Sequence, residues 1–184
     1  MSLDNFSISW SALIIPGVSI AGIPLGISVE NFISALARYA IDKDGAVYKF
    51  CDGPSLVMKC NIGRDGNGGC SFLLKDIDLV NYLKRETPAL SIGVQDGKIR
   101  AIKVYDFSFS GDLASNFVYK GKLKGNVGLG NPVSNLLAFT SLEFDESEGW
   151  FYTDSHYGLA EVTGWGVPLD VRPDQCVTAI CIVS

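Results

Sequence analysis

Alternating apolar and polar residues recur through most of the chain, and this pattern predicts β-strands. The clearest case is ALSIGVQDGKIRAIKVYDFSF, residues 89–109, where two alternating runs flank Asp96 and Gly97. This dipeptide suits the positive φ angles of a two-residue hairpin turn. Six further segments have strand character: AVYKFC, SLVMKCNIG, CSFLL, WFYTD, GLAEVTGWGV and VTAICIV. Because strand residues alternate between faces, Trp150 and Tyr152 should share one face and Phe151 should take the other.

Apolar residues recur at helical spacing in two places. The first helix is predicted to follow Ser28, whose hydroxyl can cap its first turn. The second is predicted to be shorter and to follow Asn131 as cap and Pro132 at the first helical position. Their apolar faces are Val29, Phe32, Ile33 and Leu36 in the first helix, and Val133, Leu136 and Leu137 in the second. A weaker pattern favours another helix before Pro88.

The apolar segment at residues 8–27 is interrupted repeatedly by proline and glycine. A membrane-spanning helix needs about 20 consecutive apolar residues. We therefore predict one or two buried strands and a turn here, with no membrane span. The preceding residues contain no Lys or Arg, unlike a signal peptide. This predicts a cytoplasmic protein, with export as the alternative.

Two parts of the chain match each other at an offset of 104 residues, so that PLGISVENFI, residues 24–33, aligns with GLGNPVSNLL, residues 128–137. Similarity at a fixed offset is typical of duplicated units. We predict an α+β fold of two tandem copies, each a helix followed by an antiparallel sheet of about three strands. The first unit would span residues 1–110, with an insertion around 57–95. The second would span 111–184, and both would form one globular body.

This repeated helix-plus-sheet unit resembles the tandem-repeat fold of the beta-lactamase inhibitor protein family. It is also similar to small envelope-assembly lipoproteins that carry one unit, and the composition is similar to that of toxin-immunity proteins. The matching residues are Leu25, Gly26, Ser28, Val29, Leu129, Gly130, Pro132 and Val133. The resemblance implies protein binding and transfers no functional residue. This sequence departs from the resemblance in two features. The inhibitors are exported with disulfides, whereas no signal peptide is recognised here. The lipoproteins have a lipidated cysteine near the start, whereas the first cysteine here is Cys51.

Composition narrows the partner class. The 184 residues carry a net charge of −5. Nucleic-acid binders usually carry a basic stripe that neutralises phosphates. The densest basic segment, residues 119–126, has three lysines, as expected of a solvated strand. The sequence therefore favours a protein partner, basic in character, over nucleic acid, and it leaves the oligomeric state open.

Five cysteines form no Cys-x-x-Cys pair or zinc-type spacing. The favoured interpretation is free thiols in a reducing compartment, and the alternative is one or two disulfides in an exported protein. The cysteines are Cys51, Cys60, Cys70, Cys176 and Cys181.

Catalytic and metal motifs are weak. His156 follows Asp154 and Ser155, but neighbours on a strand point to opposite faces, and no Gly-x-Ser-x-Gly elbow occurs. Residues 42–45 and 145–149 resemble calcium-loop fragments without the late bidentate acid. We therefore assign no catalytic residue, metal or cofactor. A hydrolase using acids near His156 remains an alternative, with Asp154, Glu161, Asp170 and Asp174 as the acids.

An acidic and aromatic cluster in the second unit is the candidate binding site. Trp and Tyr are favoured at binding centres because they combine large apolar area with a polar group. Its members are Glu146, Glu148, Trp150, Tyr152, His156, Tyr157 and Trp165. Packing of these residues in the core is the competing interpretation. The leading hypothesis is a non-catalytic protein-binding module of the immunity or inhibitor type. A structural or envelope-assembly module is a further alternative.

Overall fold

The computed structural model describes residues 6–184, and strands dominate this part of the chain. Its strands are β1 (Ser19–Ile20), β2 (Ile23–Pro24), β3 (Ala40–Asp42), β4 (Val47–Lys49), β5 (Ser55–Ile62), β6 (Gly68–Leu74), β7 (Leu90–Gln95), β8 (Lys98–Tyr105), β9 (Leu142–Asp145), β10 (Trp150–Thr153), β11 (Ala160–Thr163) and β12 (Ala179–Val183). Helix α1 spans Val29–Leu36. The 3₁₀ helices are Ala37–Tyr39, Ile77–Leu79, Tyr82–Lys84, Leu113–Phe117 and Val133–Ala138.

Within residues 6–184, ten strands form one antiparallel sheet in the order β3-β4-β5-β6-β7-β8-β12-β11-β10-β9. The predicted pair of helix-plus-three-strand units is therefore wrong. Strands β8 and β12 pair directly, with Ile180 opposite Val104 and Cys181 opposite Lys103. This pairing satisfies the exposed backbone groups of two sheet edges at once. As a result, strands from both halves of the chain share one continuous sheet.

The predicted first helix is confirmed, and the second is a 3₁₀ helix. Ser28 Oγ accepts a hydrogen bond from Asn31 N–H at 3.2 Å and caps α1. In contrast, the side-chain oxygen of Asn131 accepts from Gly128 N–H at 2.9 Å and from Lys122 Nζ at 3.0 Å. The Asn131 side chain thus stabilises the preceding loop and does not cap the helix. Pro132 occupies the cap position without a side-chain hydrogen bond.

The Leu-Gly turns before these two helices make similar local contacts. Gly26 N–H donates to Ile99 C=O at 2.8 Å, and Gly130 N–H donates to Val177 C=O, also at 2.8 Å. Each turn is thereby attached to the beginning of β8 or to the segment leading into β12. The unit boundary near residue 110 stays a prediction.

The β7–β8 hairpin is confirmed, with Asp96 at φ 52° and Gly97 at φ 68° in its turn. The helix predicted before Pro88 is wrong. The 3₁₀ helices Ile77–Leu79 and Tyr82–Lys84 occupy that segment instead. Asn81 separates them, because its side chain accepts from Leu83 N–H at 3.1 Å and starts a new turn.

The main sheet buries one face, which we call the core face. A row of large residues crosses it from strand to strand: Phe72, Leu90, Val104, Ile180, Val162 and Phe151. The N-terminal segment packs against this face through buried residues such as Ile8, Trp10 and Ile14. It also contains the β1–β2 hairpin, where one or two strands and a turn were predicted. Across residues 6–184, no helix is long and apolar enough to cross a membrane.

The five cysteines include both a disulfide and free thiols. Cys60 and Cys70 face each other on β5 and β6 with their Cα atoms 4.0 Å apart, and they form a disulfide. Free thiols are therefore wrong for this pair. Cys51, Cys176 and Cys181 are free, as the favoured interpretation expected. The pairing was missed because the cross-strand register of β5 and β6 is not visible in the spacing of ten residues.

Candidate functional site

The face of the main sheet opposite the core carries smaller and more polar residues, and most of them remain partly exposed. We call the part formed by β6 to β8 and β10 to β12 the open face. Cross-strand partners form three rows on this face. The central row is Ser71, Ser91, Lys103, Cys181, Glu161 and Tyr152. The rows on either side of it are Gly69, Gly93, Ala101 and Val183, and Tyr105, Ala179, Thr163 and Trp150. The aromatic residues here are absent from the buried core cluster of the described residues.

One end of the open face combines acids with aromatic rings. The hydroxyl of Tyr152 donates to Glu148 Oε2 at 3.2 Å, and Glu161 lies opposite Tyr152 on β11. Desolvation, followed by the negative charges of Glu148 and Glu161, raises the pKa of Tyr152 to about 12. Tyr152 therefore remains a neutral hydrogen-bond donor at physiological pH.

Glu161 and Cys181 lie side by side towards the centre of this face. Burial raises the pKa of the Glu161 carboxyl, while the positive charge of Lys103 opposes this effect. Burial, together with the charge of Glu161, raises the pKa of the Cys181 thiol to about 12. Since the thiolate is the reactive form of cysteine, Cys181 is a poor nucleophile here.

Lys103 and Trp150 converge over the middle strands. They belong to β8 and β10, which are three strands apart in the sheet, a distance of about 14 Å. Nevertheless, Lys103 Nζ lies 4.5 Å from the centroid of the Trp150 ring. The two side chains lean towards each other across β12 and β11. The small Ala179 and Cys181 side chains belong to β12, which lies between these strands, and they are 3% and 1% exposed.

A depression of about 260 Å³ lies on the other side of Lys103. Its walls come from β6, β7 and β8, and all of its side chains except that of Lys103 are small on this face. At Gly69, a Cβ atom would lie 2.5 Å from Ile92 C=O, so the backbone itself requires glycine there. The open-face residues around the depression are Gly69, Ser71, Ser91, Gly93, Ala101 and Lys103.

The structure brings three of the seven predicted binding residues together: Glu148, Trp150 and Tyr152. Trp150 and Tyr152 share one face and Phe151 is buried on the other, as predicted. Glu146 is exposed in the β9–β10 turn.

The other three lie outside this group. Trp165 follows β11, is 63% exposed, and stacks with Arg172, whose guanidinium carbon lies 3.5 Å from the ring centroid. His156 and Tyr157 belong to the β10–β11 turn. Tyr157 packs against the core, and its hydroxyl donates to Lys124 C=O at 2.8 Å.

Asp154 organises the β10–β11 turn. Its carboxylate accepts hydrogen bonds from the N–H groups of Ser141 at 2.9 Å, His156 at 3.0 Å and Tyr157 at 3.0 Å. The backbone donors of Ser141 and Tyr157 hold its pKa well below the usual range. A carboxyl that stays ionised and is used by the turn is a poor general acid.

Sequence reasoning omitted Lys103 and Cys181 from the site and treated Glu161 as a possible catalytic acid. Strand alternation alone places each of them on a face. What it does not give is the order of strands: Lys103, Cys181 and Glu161 become neighbours because β12 lies between β8 and β11. In residues 6–184, no group of three or more His, Cys, Asp or Glu side chains is arranged to hold a metal ion.

No protein-family model matches the chain. A comparison with curated proteins also finds no match. Among solved structures, the chain is similar to a cysteine-rich secretory protein from Staphylococcus aureus subsp. aureus Mu50, with a TM-score of 0.34 and 9% identity. The match covers 98% of this chain and 50% of that protein, so the chain spans about half its length. A likeness this weak decides nothing about fold or function.

Proposed function

We propose that this chain is a non-catalytic binding protein of the inhibitor or immunity type, and that it engages another protein through the open face. The observation that carries the proposal is the placement of Trp150 and Tyr152. Both are partly exposed on the face opposite the core, beside Glu148, Glu161 and Lys103.

These aromatic residues are not needed to fill the core. Phe151, between them in sequence, is 2% exposed and contacts Phe144, with ring centroids 4.8 Å apart. Trp150 and Tyr152 instead present large apolar area together with polar groups. Side chains of this kind dominate the binding energy of protein interfaces when a partner removes them from water.

A basic partner is favoured by the charges around these rings. Glu143, Glu148 and Glu161 belong to the same end of the sheet, and Tyr152 pairs with both Glu143 and Glu161. Lys103 is the neighbouring cation, and its ammonium group is directed towards Trp150. Opposite charges on the partner would accelerate encounter and fix its orientation.

The hydrolase alternative loses one of its four candidate acids, because hydrogen bonds from the backbone N–H groups of Ser141 and Tyr157 hold Asp154 ionised. No contact described above favours an envelope-assembly role. The cytoplasmic location remains a prediction, and counting the free thiols of the protein from its source cell would test it.

The proposal is tested by affinity capture from the source cell with three baits. These are the wild-type protein, a Trp150→Ala/Tyr152→Ala double variant, and a Tyr82→Ala control. Tyr82 is 75% exposed in the loop between β6 and β7 and is not one of the open-face residues. We expect one protein to be captured by the wild type and the control and lost by the double variant. Equal capture by all three baits would refute a role for the open face.

A further inference from the structure

We infer the chemistry of the partner: it places an aromatic side chain in the depression between β6 and β8, and a Lys or Arg beside Glu148 and Glu161. This inference rests on the proposed function, since both positions belong to the open face. Beyond that function, it specifies two side chains of the partner, one aromatic and one basic, and the distance between them.

The size and composition of the depression suit one aromatic ring. Its volume is about 260 Å³, and a buried apolar cavity of about 150 Å³ is enough to hold benzene. The hydroxyl groups of Ser71 and Ser91 are 3.5 Å apart, so one of them can donate a long hydrogen bond to the other. Covering them with an apolar group therefore leaves each hydroxyl with one partner within the protein. Interface anchors typically fill such pockets with Trp or Tyr.

Core packing does not account for all of the small residues here. The core face of the same strands carries large residues, including Phe72, Ile92 and Ile102. Gly69 is required by its contact with Ile92 C=O. In contrast, Ser71 and Ser91 are small on a face that is partly exposed. A larger side chain at either position would fill the depression without entering the core.

The acidic end suits a cation for reasons of charge and contact. Glu143 and Glu148 are exposed, whereas Glu161 is partly buried and feels the positive charge of Lys103. A partner that covered this end with apolar or acidic groups would desolvate carboxylates without compensation, which is costly. A Lys or Arg of the partner would pair with the exposed carboxylate of Glu148 through charge-assisted hydrogen bonds.

The sheet sets the distance between the two positions. The depression is centred on β7, whereas Glu161 lies on β11 and Tyr152 on β10, which are three and four strands away. With strands about 4.8 Å apart, the aromatic anchor and the base should be about 14 to 19 Å apart. An extended segment covers that distance in about four to six residues.

The test uses a phage-displayed library of random peptides of about 12 residues, selected on the wild-type protein. Enriched peptides are then measured against Ala101→Leu and Ser91→Val, which fill the depression, and against Glu148→Gln/Glu161→Gln. Matched controls are Ala37→Leu, at an exposed position after α1, and Glu86→Gln, in the exposed β6–β7 loop. Thermal unfolding confirms that each variant is folded. Using two filling variants keeps the test valid if one of them fails to fold.

We expect enriched peptides to carry an aromatic residue and a Lys or Arg about four to six residues apart. Filling the depression should weaken their binding about 30-fold, and the glutamine pair should weaken it while reducing its dependence on salt. The controls should bind like the wild type. Enrichment of acidic peptides, of peptides insensitive to both filling variants, or of none above background would overturn the inference.

The inference and the proposed function fail separately. If the captured cellular partner depends on Trp150 and Tyr152 but binds the filled variants normally, the inference is wrong and the proposed function stands. If the Trp150→Ala/Tyr152→Ala variant captures the partner as well as the wild type does, the proposed function is wrong as well.

Discussion

Alanine substitutions at three consecutive positions of β10 should separate the open face from the core. Phe151 is 2% exposed and lies between Phe144 and Val162 in the core. Phe151→Ala removes a large buried side chain, and such changes cost about 3–5 kcal/mol of unfolding free energy because they leave a cavity. The neighbouring residues Trp150 and Tyr152 point to the other face and should behave differently.

The expected cost at these two positions follows from their contacts. Trp150→Ala loses the contact with Lys103, worth about 0.5–1 kcal/mol at an exposed site. Tyr152→Ala loses the hydrogen bond to Glu148 and a cross-strand pair, and such pairs contribute about 0.2–1 kcal/mol each. Each substitution should therefore cost about 1 kcal/mol, at least threefold less than Phe151→Ala.

Urea unfolding followed by tryptophan fluorescence and far-UV circular dichroism measures these differences. Circular dichroism is the reference for Trp150→Ala, because that variant loses a fluorophore. The unfolding slope should be unchanged, so that shifts in midpoint report stability. If Trp150→Ala or Tyr152→Ala cost as much as Phe151→Ala, both faces of β10 would be core, and the open face would not be available to a partner.

Three further predictions concern titration and thiols. Three of the five cysteines should react with a thiol reagent in denaturant without reductant. A Cys60→Ser/Cys70→Ser variant should lose about 3 kcal/mol of unfolding free energy, measured by urea unfolding. Asp154→Asn should lower stability at pH 7, because a depressed pKa stabilises the fold above the ordinary carboxyl pKa of about 3.9. That deficit should stay constant down to about pH 4 and shrink at lower pH, towards the folded-state pKa of Asp154. A deficit that does not change between about pH 4 and about pH 2 in unfolding experiments would contradict this expectation. Burial raises the pKa of the Glu161 carboxyl, so the folded protein is destabilised when the pH rises through that pKa and the carboxyl ionises. Glu161→Gln removes this ionisation and should be at least as stable as the wild type at pH 7. Its stability should approach that of the wild type below the ordinary glutamate pKa of about 4.3, and a variant less stable at pH 7 would show that the charge is favourable.

Local structure was predictable where a few adjacent residues determine it. The Asp96-Gly97 turn, the Ser28 cap and the alternation of Trp150, Phe151 and Tyr152 all depend on neighbours in sequence. Each was confirmed because turn and cap geometry is fixed by local backbone angles and hydrogen bonds.

Sheet organisation was not predictable in the same way. The pairing of β8 with β12 joins residues 98–105 to residues 179–183, far apart in sequence. Strand β8 has one apolar face and β12 is apolar on both faces, and these patterns fit a shared sheet as well as two separate ones. The predicted second helix failed for a related reason: Asn131 bonds to Lys122 and Gly128 of its own loop, and the cap it would have provided is lost.

The candidate site was predicted in part. Glu148, Trp150 and Tyr152 were found from composition around one strand, whereas Lys103 and the depression between β6 and β8 depend on strand order. His156 and Trp165 were included because they are near in sequence. The structure instead places them in a turn and after a strand end, where Trp165 stacks on Arg172.

The central claim is that a protein partner docks on the open face. Isothermal titration of the purified partner with the wild type, the Trp150→Ala/Tyr152→Ala variant and the Tyr82→Ala control tests it most directly. We expect the double variant to bind at least about 30-fold more weakly and the control to match the wild type. Wild-type affinity in the double variant, folded by its unfolding midpoint, would contradict it.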